Sequence, residues 1–238
     1  MTMLRERTRR QGGIFWSIAA VAAVTIAVVG AGTSAPAGAS PAAHSTPLPG
    51  APNCPLFPAD NVWNTNIASL PVNSHSAAWL ASMDASTTNL HPDFGPSGDP
   101  SNPYGIPYTV VGPTHPLVPI NFLYADESDA GPYPFGSDTP IEGGSTSTGD
   151  RHAIMVNPSS CMLYELDNAQ YSANGSTADS GAIWSLESNA LRPAGWTSAD
   201  AAGLPILPGL VRWDEVQSGV ITHAIRGCSG MPSRKSWV

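Results

Sequence analysis

The sequence predicts a mainly β domain, an antiparallel sandwich or jelly-roll-like fold with a few short helices. Short apolar runs alternate with turn clusters beyond residue 100, which is the rhythm of antiparallel strands. Pro158-Ser159-Ser160 separates two of those runs as a tight hairpin connection would. The length left after an expected N-terminal removal suits one sandwich or barrel.

That removal concerns residues 1–39. Arg5, Arg7, Arg9 and Arg10 precede an uncharged run from Ile14 to Ala31, and Ala35-Pro36-Ala37-Gly38-Ala39 offers two overlapping A-x-A sites. Basic, apolar and small-residue regions in that order make a secretory signal, with cleavage expected after Ala39 and Ala37 as the alternative. A retained membrane anchor is the competing reading, because the apolar run approaches the ~20 residues that span a bilayer. The mature protein is therefore expected outside the cytoplasm.

Residues 40–53 are Ser, Pro, Ala and Gly without apolar periodicity, a flexible leader. The domain is expected over 54–226, with an atypical tail at 227–238. Pro/Asn/Asp-rich text from 55 to 75 reads as docked coil anchored by Phe57, Val62, Trp63 and Ile67. Ala77, Trp79, Leu80 and Met83 supply an apolar helical face over 76–83, with Ser74 or Ser76 as the cap. Strands are expected at 106–111, 117–124, 152–157, 162–166, 182–186 and 220–225. Helical starts are expected at 196–200 and 211–216; Pro205 and Pro208 forbid a regular helix between them. The acidic, Gly/Pro-rich stretch from 125 to 151 is too long for a mere connector.

There are three cysteines, Cys54, Cys161 and Cys228. Oxidising compartments favour one bridge. Cys54–Cys161 is the expected pair, since it ties the start of the domain to its middle.

Charge narrows the function classes. Removing residues 1–39 takes four of ten basic residues but only Glu6 of eighteen acids, leaving a formal −11. Coulomb repulsion then disfavours nucleic acid and anionic membrane. Neutral glycans, cationic ligands or Ca²⁺ suit such a surface, and a glycan or cell-wall polymer is the expected partner. No stable membrane partner is expected unless the signal stays as an anchor.

The leading chemical candidate is the glycine-rich loop Glu142-Gly143-Gly144 running into Gly149-Asp150-Arg151-His152. Glu142 and Asp150 could share acid–base work on a glycoside, one carboxyl with a raised pKa. The competing expectation is that Asp150 and Arg151 are structural loop partners. His152 and His223 form a second candidate: period-two alternation places one beside Ile154 and Val156, the other beside Ile221 and Ile225. Either histidine would serve as a base in a cleft, as a metal ligand with Asp150, or as a hydrogen-bonded core residue. The candidate catalytic set is therefore Glu142, Asp150, His152 and His223, with Arg151, Arg192 and Trp196 as candidate ligand-binding residues. No cofactor is expected. Asp126, Glu127 and Asp129 carry oxygen ligands suited to Ca²⁺, but their spacing does not match an EF-hand loop, so a solvated loop is the first expectation. No serine lies in a G-x-S-x-G elbow, and no phosphate-binding or dinucleotide fingerprint occurs.

The run from Ala190 to Arg212 (ALRPAGWTSADAAGLPILPGLVR), with Phe57-Pro58-Ala59-Asp60-Asn61-Val62-Trp63-Asn64 and Gly149-Asp150-Arg151-His152, resembles a family of secreted bacterial proteins without an assigned activity. The resemblance covers residues 54–226 and implies export, not a reaction. Members continue with further strands after the segment matching His223-Ala224-Ile225-Arg226, so the resemblance implies a truncated or frame-shifted C-terminus here. Two function classes follow: a polysaccharide hydrolase using carboxylate/His acid–base chemistry, or a non-catalytic module binding glycan through exposed aromatics.

Overall fold

A computed structural model describes residues 46–89 and 105–227. The signal segment, the whole turn-rich 90–102 stretch, and Cys228 with the rest of the tail lie outside the described residues. In chain order the elements are α1 (Ser76–Ser82), β1 (Tyr108–Val110), β2 (Ile120–Phe122), β3 (Ala153–Asn157), β4 (Met162–Asp167), β5 (Ser176–Ala178), β6 (Ser180–Ser185) and α2 (Trp213–Ser218). Short 3-10 turns occupy Ala125–Glu127 and Leu207–Gly209.

The domain is β-rich, with one mixed four-stranded sheet and one two-stranded parallel sheet, neither closed. Four strands run in the order β1-β3-β4-β6, and β2 pairs with β5 alone. Antiparallel pairing holds for β3–β4 and β4–β6, while β1–β3 and β2–β5 are parallel. The turn at 158–160 joins β3 to β4 as a hairpin, as expected. Direction departs from expectation where the connections are long, because a crossover of a dozen or more residues can return a strand either way.

Alternation along the central strands divides the core in two. Ile154, Val156, Leu163, Ala182 and Trp184 pack with Leu48, Leu56, Phe57, Ile206 and Leu207. Ala153, Met155 and Leu166 pack on the other side with Tyr133, Phe135 and Ala178. Strands buried on both faces carry near-continuous apolar runs, which is why β3 was legible in sequence. Burying each large side chain contributes about 1.5–3 kcal/mol.

Three local expectations are corrected. Residues 220–225 form no strand; Ala224 N–H donates to Trp63 O at 2.8 Å and Arg226 N–H to Gly209 O at 2.9 Å, so this chain lies on loops instead of a sheet edge. Residues 196–200 form turns, not a helix. Helix α1 forms at the expected place, yet its cap position is His75, without a side-chain cap bond, and none of its residues is buried. Strand β5, a polar Ser-Thr-Ala stretch, gave no apolar signal. Helix α2 starts two residues after the expected 211, with Glu215 accepting from Arg212 N–H, and Gly219 closes it at φ +76°.

Cys54 and Cys161 form the expected disulfide, 107 residues apart in sequence, pinning the domain's start to the β3–β4 turn. Closing a loop of that length stabilises by about 4–5 kcal/mol in the chain-entropy treatment. Among the described residues no helix is long and apolar enough to cross a membrane.

Candidate functional site

The β3–β4 hairpin register builds the site. Ala153 faces Leu166 and Ile154 faces Glu165, so His152, one step before β3, lies level with Asp167. Asp167 in turn faces Ser180 of β6. A polar row, His152, Asp167 and Ser180, thus follows the end of the first apolar core, and Glu165 sits one row deeper. All four belong to the face of Ile154 and Ala182.

Loops supply the other half. Ser180 Oγ donates to Ser198 O at 2.5 Å. Glu165 is fully buried, and its carboxylate accepts Ile206 N–H at 3.0 Å and Leu207 N–H at 2.9 Å, the N-terminal donors of the 3-10 turn. The 190–212 run is therefore docked onto the sheet largely through its backbone.

His152 is the hub. Its Nδ1 lies 2.5 Å from Glu142 Oε2, its Nε2 3.0 Å from Ala199 O, and Asp167 Oδ1 is 3.7 Å from Nε2. Backbone bonds between residues 142 and 152 hold the pair: Glu142 N–H donates to His152 O at 3.0 Å, and His152 N–H to Glu142 Oε2 at 3.3 Å. Both ring nitrogens face acceptors only, the arrangement of an imidazolium. Beyond them Arg226 grips Asp200 at 2.7 Å through Nε and Nη2.

The electrostatics follow from this packing. Desolvation opposes the charge on His152, but the hydrogen bond and charge of Glu142, with Asp167 and the Ala199 carbonyl, outweigh it and raise its pKa. Desolvation pushes Glu142 up, yet bonding to His152 and the charge of Arg226 hold its carboxyl below the ordinary range. Asp167 is shifted upward by desolvation, with Asp179 and Asp150 adding like charge against the opposing pull of His152. Burial pushes Glu165 up to about 7, even though the Leu207 and Ile206 amides, His152 and Arg226 all favour its ionised form.

The four candidate catalytic residues do not all meet. Glu142 and His152 touch. Asp150 is exposed, and its carbonyl accepts Asn168 N–H at 2.8 Å. His223 belongs to a separate buried ionic cluster instead of an apolar strand face: Nε2 lies 3.1 Å from Glu215, which Arg212 also contacts at 2.9 Å. Arg212 reaches back to Thr46 O at 2.7 Å, tying the leader to α2.

The candidate ligand-binding arginines are internally engaged. Arg151 is buried and donates to Ala169 O, Ser145 O and Ser147 O between 2.9 and 3.1 Å. Arg192 pairs with Asp129, donates to Glu127 O and Thr197 O, and lies 5.5 Å from the rings of both Trp184 and Trp196. Within the acidic cluster, Glu127 accepts Thr197 N–H and Oγ1–H, which hold its carboxyl low, and Asp129 also accepts Ile183 N–H. Among the described residues no three His, Cys, Asp or Glu side chains converge as a metal site.

Asp167, Glu165, Asp200 and Arg226 were missed as site residues. A hairpin register was available for the first two: a turn at 158–160 pairs 157 with 162, which sets 152 opposite 167 and 154 opposite 165. Nothing local marks Asp200 or Arg226, which arrive from loops distant in sequence. Two shallow depressions elsewhere, one by Asp129, Trp184 and Arg192 and one by Val110, His115 and Asp138, include neither Glu142 nor His152. The central cluster is reached from its rim, where the side chains of Glu142 and Asp167 are 26% and 31% exposed against 7% for His152. No protein-family model, curated protein or solved structure matches the chain.

Proposed function

We propose that the chain is an exported polysaccharide hydrolase of the secreted bacterial family it resembles, with Glu142 and Asp167 as its acid–base pair. The observation that carries this reading is the imidazolium of His152 held between Glu142 and Asp167, which lower and raise in pKa respectively. Opposite shifts in neighbouring carboxyls separate a base from an acid. Asp167 gives its proton to the leaving glycosidic oxygen as the C–O bond breaks. Glu142 takes a proton from the attacking water, whose hydroxyl bonds to the anomeric carbon. His152 is a positioning residue here, since both its nitrogens already donate. Replacing Asp150 by Asp167 is the change this geometry makes to the sequence-based assignment.

Export is supported by the basic–apolar–small order of residues 1–39 and by the Cys54–Cys161 disulfide. Two sheets with apolar faces also leave room for a sandwich-like layering. A non-catalytic glycan-binding module is the second reading, favoured by the exposure of Trp79, Tyr124 and Trp213.

The test is release of reducing ends from a polysaccharide panel. Wild type is expected to release them, while Glu142→Gln and Asp167→Asn each lose 10²-fold or more, on the order of general acid–base contributions. Undiminished release by both variants sinks the assignment. Retention on insoluble polysaccharide without release selects the binding module.

A further inference from the structure

Strand β6 ends the four-stranded sheet, and its outer edge is covered only in part. In an antiparallel pair, successive residues turn their N–H and C=O groups alternately toward and away from the neighbour. Gly181 N–H donates to Ser128 Oγ at 3.2 Å, Gly181 O accepts Asp129 N–H at 3.1 Å, and Ile183 N–H donates to Asp129 Oδ2 at 2.8 Å. Gly181, Ile183 and Ser185 therefore face away from β4. Ser185 O accepts Ser188 N–H at 3.2 Å, which closes the edge. Ile183 C=O and Ser185 N–H remain between these bonds without a partner among the described residues.

A depression of about 170 Å³ opens along this stretch, with Asp129, Ile183, Trp184, Ser185, Leu191 and Pro193 in its lining. Trp184 is 6% exposed and its indole N–H has no acceptor, although a buried indole N–H ordinarily finds one. Asp129 gives Oδ2 to Ile183 and Arg192, and its Oδ1 has no partner among the described residues. Arg192 is a wall, since it is bonded to Asp129 and to the Glu127 and Thr197 carbonyls and packs over the Trp184 ring.

We infer that this depression binds one neutral sugar ring of a glycan, at a site separate from Glu142 and His152. Two donors, Ser185 N–H and Trp184 Nε1–H, accompany two acceptors, Ile183 C=O and Asp129 Oδ1. A hydroxyl both donates and accepts, so a ring bearing adjacent hydroxyls serves such a mixed set. Leu191 and Pro193 offer an apolar wall to its C–H groups, and a few polar groups on a partly apolar hollow are the usual make-up of a small-ligand site. The Asp129–Arg192 pair leaves no unmatched charge there to select an amine or a carboxylate. An extended peptide fits less well, because Gly181 and the Ser185 carbonyl are already bonded and only one of its residues would pair. Binding here is independent of the proposed hydrolysis.

The experiment titrates the purified full chain with cellohexaose, laminarihexaose, mannohexaose and xylohexaose. An oligogalacturonate, a chitosan oligomer and an uncharged peptide of alternating Ser and Val are the comparison probes. Binding is read by titration calorimetry and by the tryptophan indole N–H signals in NMR, the Trp184 signal being the one absent from Trp184→Phe. At least one neutral oligomer is expected to shift the Trp184 signal. Trp184→Phe, which keeps an aromatic ring, is expected to weaken that binding roughly tenfold, the scale of one hydrogen bond. Leu191→Ser, at a position 86% exposed, is expected to weaken it several-fold while the fold stays intact. The titrations are repeated in Glu142→Gln, where hydrolysis is expected to be lost and this binding kept. No shift of the Trp184 signal by any neutral oligomer, undiminished binding in both variants, or a shift caused only by the charged oligomers or the peptide overturns the inference. Binding lost in Glu142→Gln also overturns it, because the sugar then sits at the proposed catalytic pair. Binding by wild type at this site without cleavage of any oligomer upholds the inference and counts against the hydrolytic reading.

Discussion

Glu165, level with Ile154 in the middle of the sheet, bonds through its carboxylate to the backbone N–H of Leu207, 42 residues further along the chain, at 2.9 Å. A fully buried acid thereby anchors a 3-10 turn that carries Ile206 and Leu207 into the first core.

This contact sets a pH dependence of stability. The folded-state pKa of Glu165 is raised to about 7 by burial. Its contribution is therefore complete below the ordinary carboxylate range and is lost as pH rises through about 7. Asp167, also raised, acts in the same direction. The melting temperature is expected to fall between about pH 5 and about pH 8, and Glu165→Gln is expected to flatten that slope. The variant also turns an amide toward two N–H donors, costing about 1–3 kcal/mol at low pH. Thermal unfolding across this range checks both effects; an unchanged slope in the variant refutes the assignment.

The Glu142–His152 pair has a window of its own. His152, raised, contributes below the ordinary histidine range and loses that contribution as pH rises through its folded pKa; Glu142, lowered, contributes above the ordinary glutamate range and loses it as pH falls through its folded pKa. The pair is thus at full strength between those ordinary values. An NMR titration of the His152 ring should place its midpoint above the usual histidine value, and Glu142→Gln should bring that midpoint down. A midpoint at or below the ordinary value in wild type contradicts the geometry.

Gly209 admits no side chain. A Cβ there would lie 2.7 Å from Arg226 Cβ and 2.8 Å from the Trp63 ring. Neither neighbour is the free end of a flexible chain, so Gly209→Ala should destabilise by about 1–3 kcal/mol. A melting temperature lower by several degrees is expected, where a neutral result would mean that the 57–64 and 223–226 segments are not packed against each other.

Reducing the Cys54–Cys161 bridge, or replacing both residues by Ser, releases a 107-residue separation. Denaturant unfolding should show a loss of about 4–5 kcal/mol on the chain-entropy treatment. Cys54→Ser/Cys161→Ser unfolding at the wild-type midpoint would show that these cysteines are not bridged in the native protein.

Sequence alone determined the positions of β3 and β4, the turn between them and the partner of Cys54, and it put Glu142 and His152 on one loop-to-strand segment as candidates. Those properties are local, or follow from alternation along one strand and the expectation of one bridge. Tertiary structure decided that Asp167, not Asp150, stands beside His152, that His223 joins Glu215 and Arg212, and that β1 runs parallel to β3. Alternation tells which side chains share a face, but the hairpin register sets which of them lie level, and long loops such as 190–212 reach the sheet through backbone donors and acceptors that every residue type carries. Contacts of that kind leave no mark on the identities of the residues that make them.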